Sequence, residues 1–181
     1  MKHVATAVAT LFFWTVAIAG PTNADPFALE LGVATRTDVE TAFKGVRLAD
    51  VGTSAVSGGP MLEAQHPPVG PDGITRALLV LDKQGRLVAV QMTLPKDFDG
   101  RNVPAIADQL SKKYAQKSRN LPRLGDGLAR YSRGASVVTV EAPHLAFEFT
   151  VNYMTNEFER GMVALERSKQ QQKAARTRDS L

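Results

Sequence analysis

Ile74-Thr75-Arg76-Ala77-Leu78-Leu79-Val80-Leu81 and Leu87-Val88-Ala89-Val90-Gln91-Met92-Thr93-Leu94 are two apolar, β-branched runs separated by Asp82-Lys83-Gln84-Gly85-Arg86. This pattern spells a β-hairpin whose turn uses Gly85 for a positive φ. Leu78 to Leu81 is apolar on both faces, so the hairpin belongs in the middle of a sheet.

Downstream, the strand pattern reopens at Gly125-Asp126-Gly127. Leu128 to Arg133 and Ser136 to Ala142 flank Gly134 as a second hairpin, and Pro143-His144 turns into Leu145 to Tyr153. In that last run the odd positions, Leu145, Phe147, Phe149, Val151 and Tyr153, are apolar, which is the alternation of a half-buried antiparallel strand.

Helix signatures sit between the strands. Thr37-Asp38-Val39-Glu40 has the form of a capping box, with Val39, Ala42, Phe43 and Val46 at helical spacing, and predicts a helix from Asp38 to Lys44. Asn102 is placed to cap a second helix of about four turns, with Pro104 in its first turn. Val103, Ile106, Ala107, Leu110 and Tyr114 form its apolar stripe, and Asp108, Lys112, Lys113 and Gln116 lie outside it. Asn156-Glu157-Phe158-Glu159 reads as another capping box, and Phe158, Met162 and Leu165 stripe the last helix. The expectation is an α+β domain: an antiparallel β-meander sheet with helices packed on one face. A pseudo-repeat of helix-then-strands units is suggested over residues 37–94 and 102–153.

Residues 1–24 read as a secretory signal peptide. Met1-Lys2-His3 is a short basic start, Val4 to Ala19 is uncharged and apolar, and Thr22-Asn23-Ala24 ends in a small residue. The apolar run is shorter than the roughly 20 residues of a spanning helix. The expected product is a periplasmic or secreted chain starting at Asp25, with one domain over 25–165. There is no cysteine, hence no disulfide framework, and the core alone must hold the domain together.

The net charge of +4 is carried by the ends. Residues 166–181 hold Arg167, Lys169, Lys173, Arg176 and Arg178 against Glu166 and Asp179, a net of +3, and Lys2 supplies the rest. Residues 25–165 are neutral. The C-terminal stretch is expected to be an irregular basic tail, with an anionic surface as its contact. A neutral body in an exported chain points away from nucleic acid.

Leu31-Gly32-Val33-Ala34-Thr35-Arg36-Thr37-Asp38-Val39-Glu40 resembles the start of the small outer-membrane assembly lipoproteins of the SmpA type, where a glycine and a capped helix precede a β-meander. The resemblance spans about ten residues, and the lipid-bearing cysteine of that family has no counterpart here. It implies an envelope binding module and carries over no functional residue.

Candidate chemistry is sparse. Residues 47–73 are rich in glycine and proline, with room for short strands only near Val46 to Val51 and Met61 to Gln65, and read as a long binding loop. Ser57, Gly58, Gly59, Glu63 and His66 are its candidate ligand-facing residues. Ser57-Gly58-Gly59-Pro60 lacks the lysine of a phosphate loop, and is read as a flexible turn. His66 and His144 have no close histidine partner for a metal site, and His144 is expected in a turn. Asp97-Phe98-Asp99-Gly100-Arg101-Asn102 has the composition of a calcium loop without its twelfth-position glutamate, and reads as a turn. No serine stands in a nucleophile elbow, and no cofactor motif is present. The leading functional expectation is a non-enzymatic binding, envelope-assembly or inhibitor-like protein that meets another envelope protein. The alternatives are a small hydrolase drawing on Glu63, His66 and Asp99, and a ligand carrier with an apolar cavity.

Overall fold

The computed structural model describes residues 22–67 and 70–179, with side chains to residue 177. The expected export segment up to Pro21 and the Arg178 side chain lie outside the described residues.

The chain folds as two successive helix-then-meander units. The first is α1 (Arg36–Ala42), β1 (Ala49–Thr53), β2 (Gly58–Gln65), β3 (Arg76–Asp82) and β4 (Leu87–Pro95). The second is α2 (Asn102–Lys113), β5 (Ala115–Asn120), β6 (Gly127–Arg133), β7 (Ser136–Ala142) and β8 (Glu148–Thr155), and α3 (Asn156–Asp179) follows. All eight strands of the described residues make one antiparallel sheet in the order β1-β2-β3-β4-β8-β7-β6-β5. The meanders join only through β4 and β8, so the strand order of the second unit mirrors that of the first about this seam.

Period-2 alternation assigns the faces. Leu79, Leu81, Val90, Met92, Leu94, Phe149, Val151, Val138, Val140 and Tyr131 point to one side and are buried there. Val39 of α1 and Phe43 just after it, Val103, Ala107 and Leu110 of α2, and Leu29 and Leu31 cover them. The α2 stripe is the expected one, with Ile106 partly buried. Tyr131 is fully buried, and its hydroxyl donates to the Ala107 carbonyl at 2.9 Å, fixing α2 over β6.

On the opposite face Val80, Ala89 and Phe158 form a smaller cluster with Val56, Met61, Leu78, Val88 and Met154. A bulge between Val80 and Leu81 on one strand and Ala89 and Leu87 on the other leaves Val88 unpaired, so Val88 and Ala89 both reach this cluster. α3 therefore begins on the face that α1 and α2 do not cover. Arg130 of β6 grips Glu159 through two bonds, at 2.5 and 2.7 Å. A Cβ on Gly161 would lie 2.5 Å from Val56 Cγ1, so any larger residue would push the Val56 side chain aside. Beyond Leu165 every described side chain is exposed, and the helix runs on to Asp179 through the stretch expected to be irregular.

Several local expectations change. The first capping box is Thr35 with Asp38, two residues earlier than Thr37 with Glu40, because the Asp38 carboxylate accepts from both Thr35 N and Oγ1 at 2.8 Å. Asn102 does not cap α2; its amide group bonds Pro95 O and Asp97 N instead. At α3 the cap is Thr155, whose hydroxyl accepts from Phe158 N at 3.2 Å, while Glu159 is taken by Arg130. Gln116 belongs to β5, an all-exposed edge strand whose Lys117 and Arg119 discourage pairing with other chains.

About half of the expected long loop over 47–73 is sheet, in β1 and β2. β2 is eight residues long, and its start lies against the backbone of β3, where a Cβ on Gly59 would overlap Asp82 O and Leu81 O. Gly59→Ala should destabilise the protein by about 3 kcal/mol or more, since neither backbone can retreat without breaking the ladder. Urea unfolding of the variant checks this.

Candidate functional site

The residues singled out in the sequence separate along β2. Ser57 donates to Leu81 O at 2.7 Å, and Gly58 N donates to Ser54 O at 2.8 Å, so Ser57, Gly58 and Gly59 are tied into the β1–β2 turn. Glu63 faces the uncovered side of the sheet and accepts from Gln65 at 2.5 Å. His66 lies just past the other end of β2, about 25 Å from Gly58 along the strand, exposed and with φ of 44°. Asp99, proposed as a partner of Glu63 and His66, pairs with Arg101 at 2.7 Å. The three groups thus have separate local environments. Among the described residues no three Asp, Glu or His side chains converge as a metal cluster, and no helix is long and apolar enough to cross a membrane.

Two other features stand out. The first is an apolar rim at one end of the sheet. The β4·β8 ladder stops at Pro95 and Glu148, so Leu145 and Phe147 hang beyond it. They were expected on the buried face of β8, but are 89% and 91% exposed. Phe98 is fully exposed and Leu124 is 80% exposed. Hydrogen bonds from backbone and side chains tie their three loops together. Lys96 N donates to Phe147 O at 2.7 Å, and Lys96 Nζ reaches Pro143 O. His144, in its expected turn, accepts from Gly125 N at 3.0 Å and donates its own N–H to Asp126 at 2.7 Å. The sequence cue was present in Phe98, a lone aromatic between two aspartates.

The second feature is a cleft of about 300 Å³ on the covered face. Met92, Leu94 and Val151 form its floor, Ile106 and Leu110 one wall, and the Pro26–Ala28 turn the other. Phe27 and Ala28 both have left-handed φ, 57° and 60°, a conformation costing about 1–2 kcal/mol per non-glycine residue. Phe27 holds this shape by packing edge-on to Phe43 at 5.1 Å. Gly70 makes room for the Phe27 ring, because a Cβ there would approach Phe27 Cε1 to 2.5 Å.

At the polar end of the cleft, Asp25 accepts from the Tyr114 hydroxyl and from Arg133, each at 3.3 Å. Tyr153 packs edge-on to Tyr114 at 6.2 Å, with its side chain buried and no hydrogen-bond partner for its hydroxyl among the described residues. Burial, with the Asp25 charge behind it, pushes the Tyr114 hydroxyl up to about 12. Burial drives Tyr153 upward as well, beyond the usual tyrosine range.

These shifts fix a pH dependence. The unfolded chain releases tyrosine protons near pH 10 while the folded one keeps them, so the contribution is complete below pH 10. It is lost as pH rises toward 12, by about 2–3 kcal/mol for Tyr114. In a 295 nm alkaline titration Tyr114 and Tyr153 should ionise late or only on unfolding, and Tyr114→Phe should remove one late transition. Comparison of the chain with models of protein families, with curated proteins and with solved structures returned no match.

Proposed function

We propose that this protein is an exported, non-enzymatic binding module that docks its apolar loop end onto another protein of the cell envelope. The observation that carries this reading is the rim of Phe98, Leu124, Leu145 and Phe147 on three loops held together by hydrogen bonds. A single exposed apolar side chain is ordinary. Four large ones gathered at one end of a sheet leave apolar area in water, at about 25 cal/mol per Å², which a partner would cover. Charges around the rim are mixed: Lys96, Arg101 and Arg123 alternate with Asp97, Asp99, Asp126 and Glu148. Such a border suits a protein surface better than an anionic membrane, which favours one-sided positive charge.

The basic arm is a secondary contact in the same proposal. Lys169, Lys173 and Arg176 recur on one face of the exposed part of α3, and Arg167 adds to its charge. A stripe of this kind suits an anionic surface.

The test is affinity capture from an envelope extract, with the wild type beside Phe98→Ser/Phe147→Ser. Surface changes of this kind alter stability by about 0.5 kcal/mol or less, so the variant should melt like the wild type. It should nonetheless lose a partner that the wild type retains in high salt. Equal retention of that partner by both proteins rejects the rim as the contact.

The cleft favours a second reading, a carrier of small apolar molecules with one hydrogen-bonding group. Its support is Tyr153, a buried side chain that lines the cleft and whose hydroxyl makes no hydrogen bond among the described residues. Addition of 1-octanol should shift the NMR signals of the Met92 methyl and the Tyr153 ring, and Ile106→Trp, which fills the space, should abolish those shifts. Unchanged spectra at millimolar octanol exclude this reading.

A further inference from the structure

The export reading places the cut after Ala24, yet Thr22, Asn23 and Ala24 are built into the folded body. Ala24 is fully buried; its N–H donates to Ser136 Oγ at 2.7 Å, and its carbonyl accepts from Leu31 N at 3.0 Å. Asn23 bonds in three directions: N to Glu30 at 2.9 Å, Nδ2 to Leu31 O at 3.0 Å, and Oδ1 from Ala135 N at 2.8 Å. Thr22 gives both its N–H and its hydroxyl to the same Glu30 oxygen, each at 2.8 Å. These donors hold the Glu30 carboxyl below the usual range. Gly134, with φ of 55°, lies so close that a Cβ there would overlap the Thr22 carbonyl.

A chain beginning at Asp25 would lose all of this. Ser136 and Leu31 would face an empty place in the core, Glu30 would lose three donors, and a new ammonium would form where Asp25 meets Arg133 and Tyr114. A different small-x-small triplet lies upstream. Ala17-Ile18-Ala19 ends the apolar run and is followed by Gly20-Pro21. We infer that, if the chain is exported as proposed above, it is processed between Ala19 and Gly20. Water hydrolyses that peptide bond, leaving a carboxylate on Ala19 and an amine on Gly20, and the Thr22–Ala24 strap stays with the mature protein.

Expression of the full chain from Met1 in a Gram-negative host, followed by intact mass and N-terminal sequencing of the periplasmic product, tests this. The expected N-terminus is Gly20, and Ala19→Lys should block its formation. An exported product beginning at Asp25 overturns the inference while leaving export intact; a chain that keeps Met1 overturns both. As an independent readout, chains made directly from Gly20 and from Asp25 are compared by thermal melting. The Asp25 form should melt lower, and equal melting would remove the structural reason for the earlier cut.

Discussion

Everything in this protein depends on the pairing of β4 with β8. Seven residue pairs, from Ala89 with Met154 to Pro95 with Glu148, join two meanders that touch nowhere else in the sheet. Neither four-stranded unit has enough cover by itself, because each brings one short helix. Joined, they present a continuous apolar face into which both α1 and α2 bury their apolar residues. At the same seam on the other face, Gln91 and Asn152 stand opposite each other and bond through their side chains at 2.9 Å. Asn152 continues to Thr139 and Thr150, both at 3.3 Å, so this part of the face opposite α1 and α2 is a buried polar network rather than a second apolar core. Such a network favours one register, since a slip by one residue would carry these amides into the apolar side.

The N-terminal segment is the second tie between the units. Ala24 and Asn23 bond to Ser136 and Ala135 in the second unit, while Gly32 donates to Leu87 O at 2.8 Å in the first. Between these anchors the chain crosses the covered face and accepts two left-handed residues, Phe27 and Ala28. The cleft lies beneath this crossing, between it and α2, over the seam of β4 and β8.

The ends of the sheet divide the surface. One end carries the small cluster under Phe158 and launches α3, which leaves the body after its first turns. Chain segments beyond the other end, past Pro95 and Glu148, carry the apolar rim. The contacts proposed above, with a partner and with an anionic surface, thus start from opposite ends of the strands. That separation is a property of an antiparallel meander, in which loops alternate ends.

The sequence by itself determined the class of this fold. Alternation in β3, β4, β6 and β7, and the 3.6-residue stripe of α2, depend only on neighbours along the chain, so the α+β meander and its repeat could be read directly. β5 could not, because Ala115–Asn120 is polar throughout and becomes a strand only by pairing with β6. The capping residues were misplaced by one or two positions, since Thr35 and Thr37, or Thr155 and Asn156, offer similar side chains and the tertiary bonds choose between them. Whether Leu145 and Phe147 are buried was likewise undecidable locally: their alternation matches Phe149 and Val151, but the ladder ends before reaching them. Ser57, Gly58 and Gly59 looked like a free loop because close backbone packing and flexible turns both call for glycine. Only the approach of β3 distinguishes the two, and only the folded chain brings Ala24 to Ser136 across 112 residues.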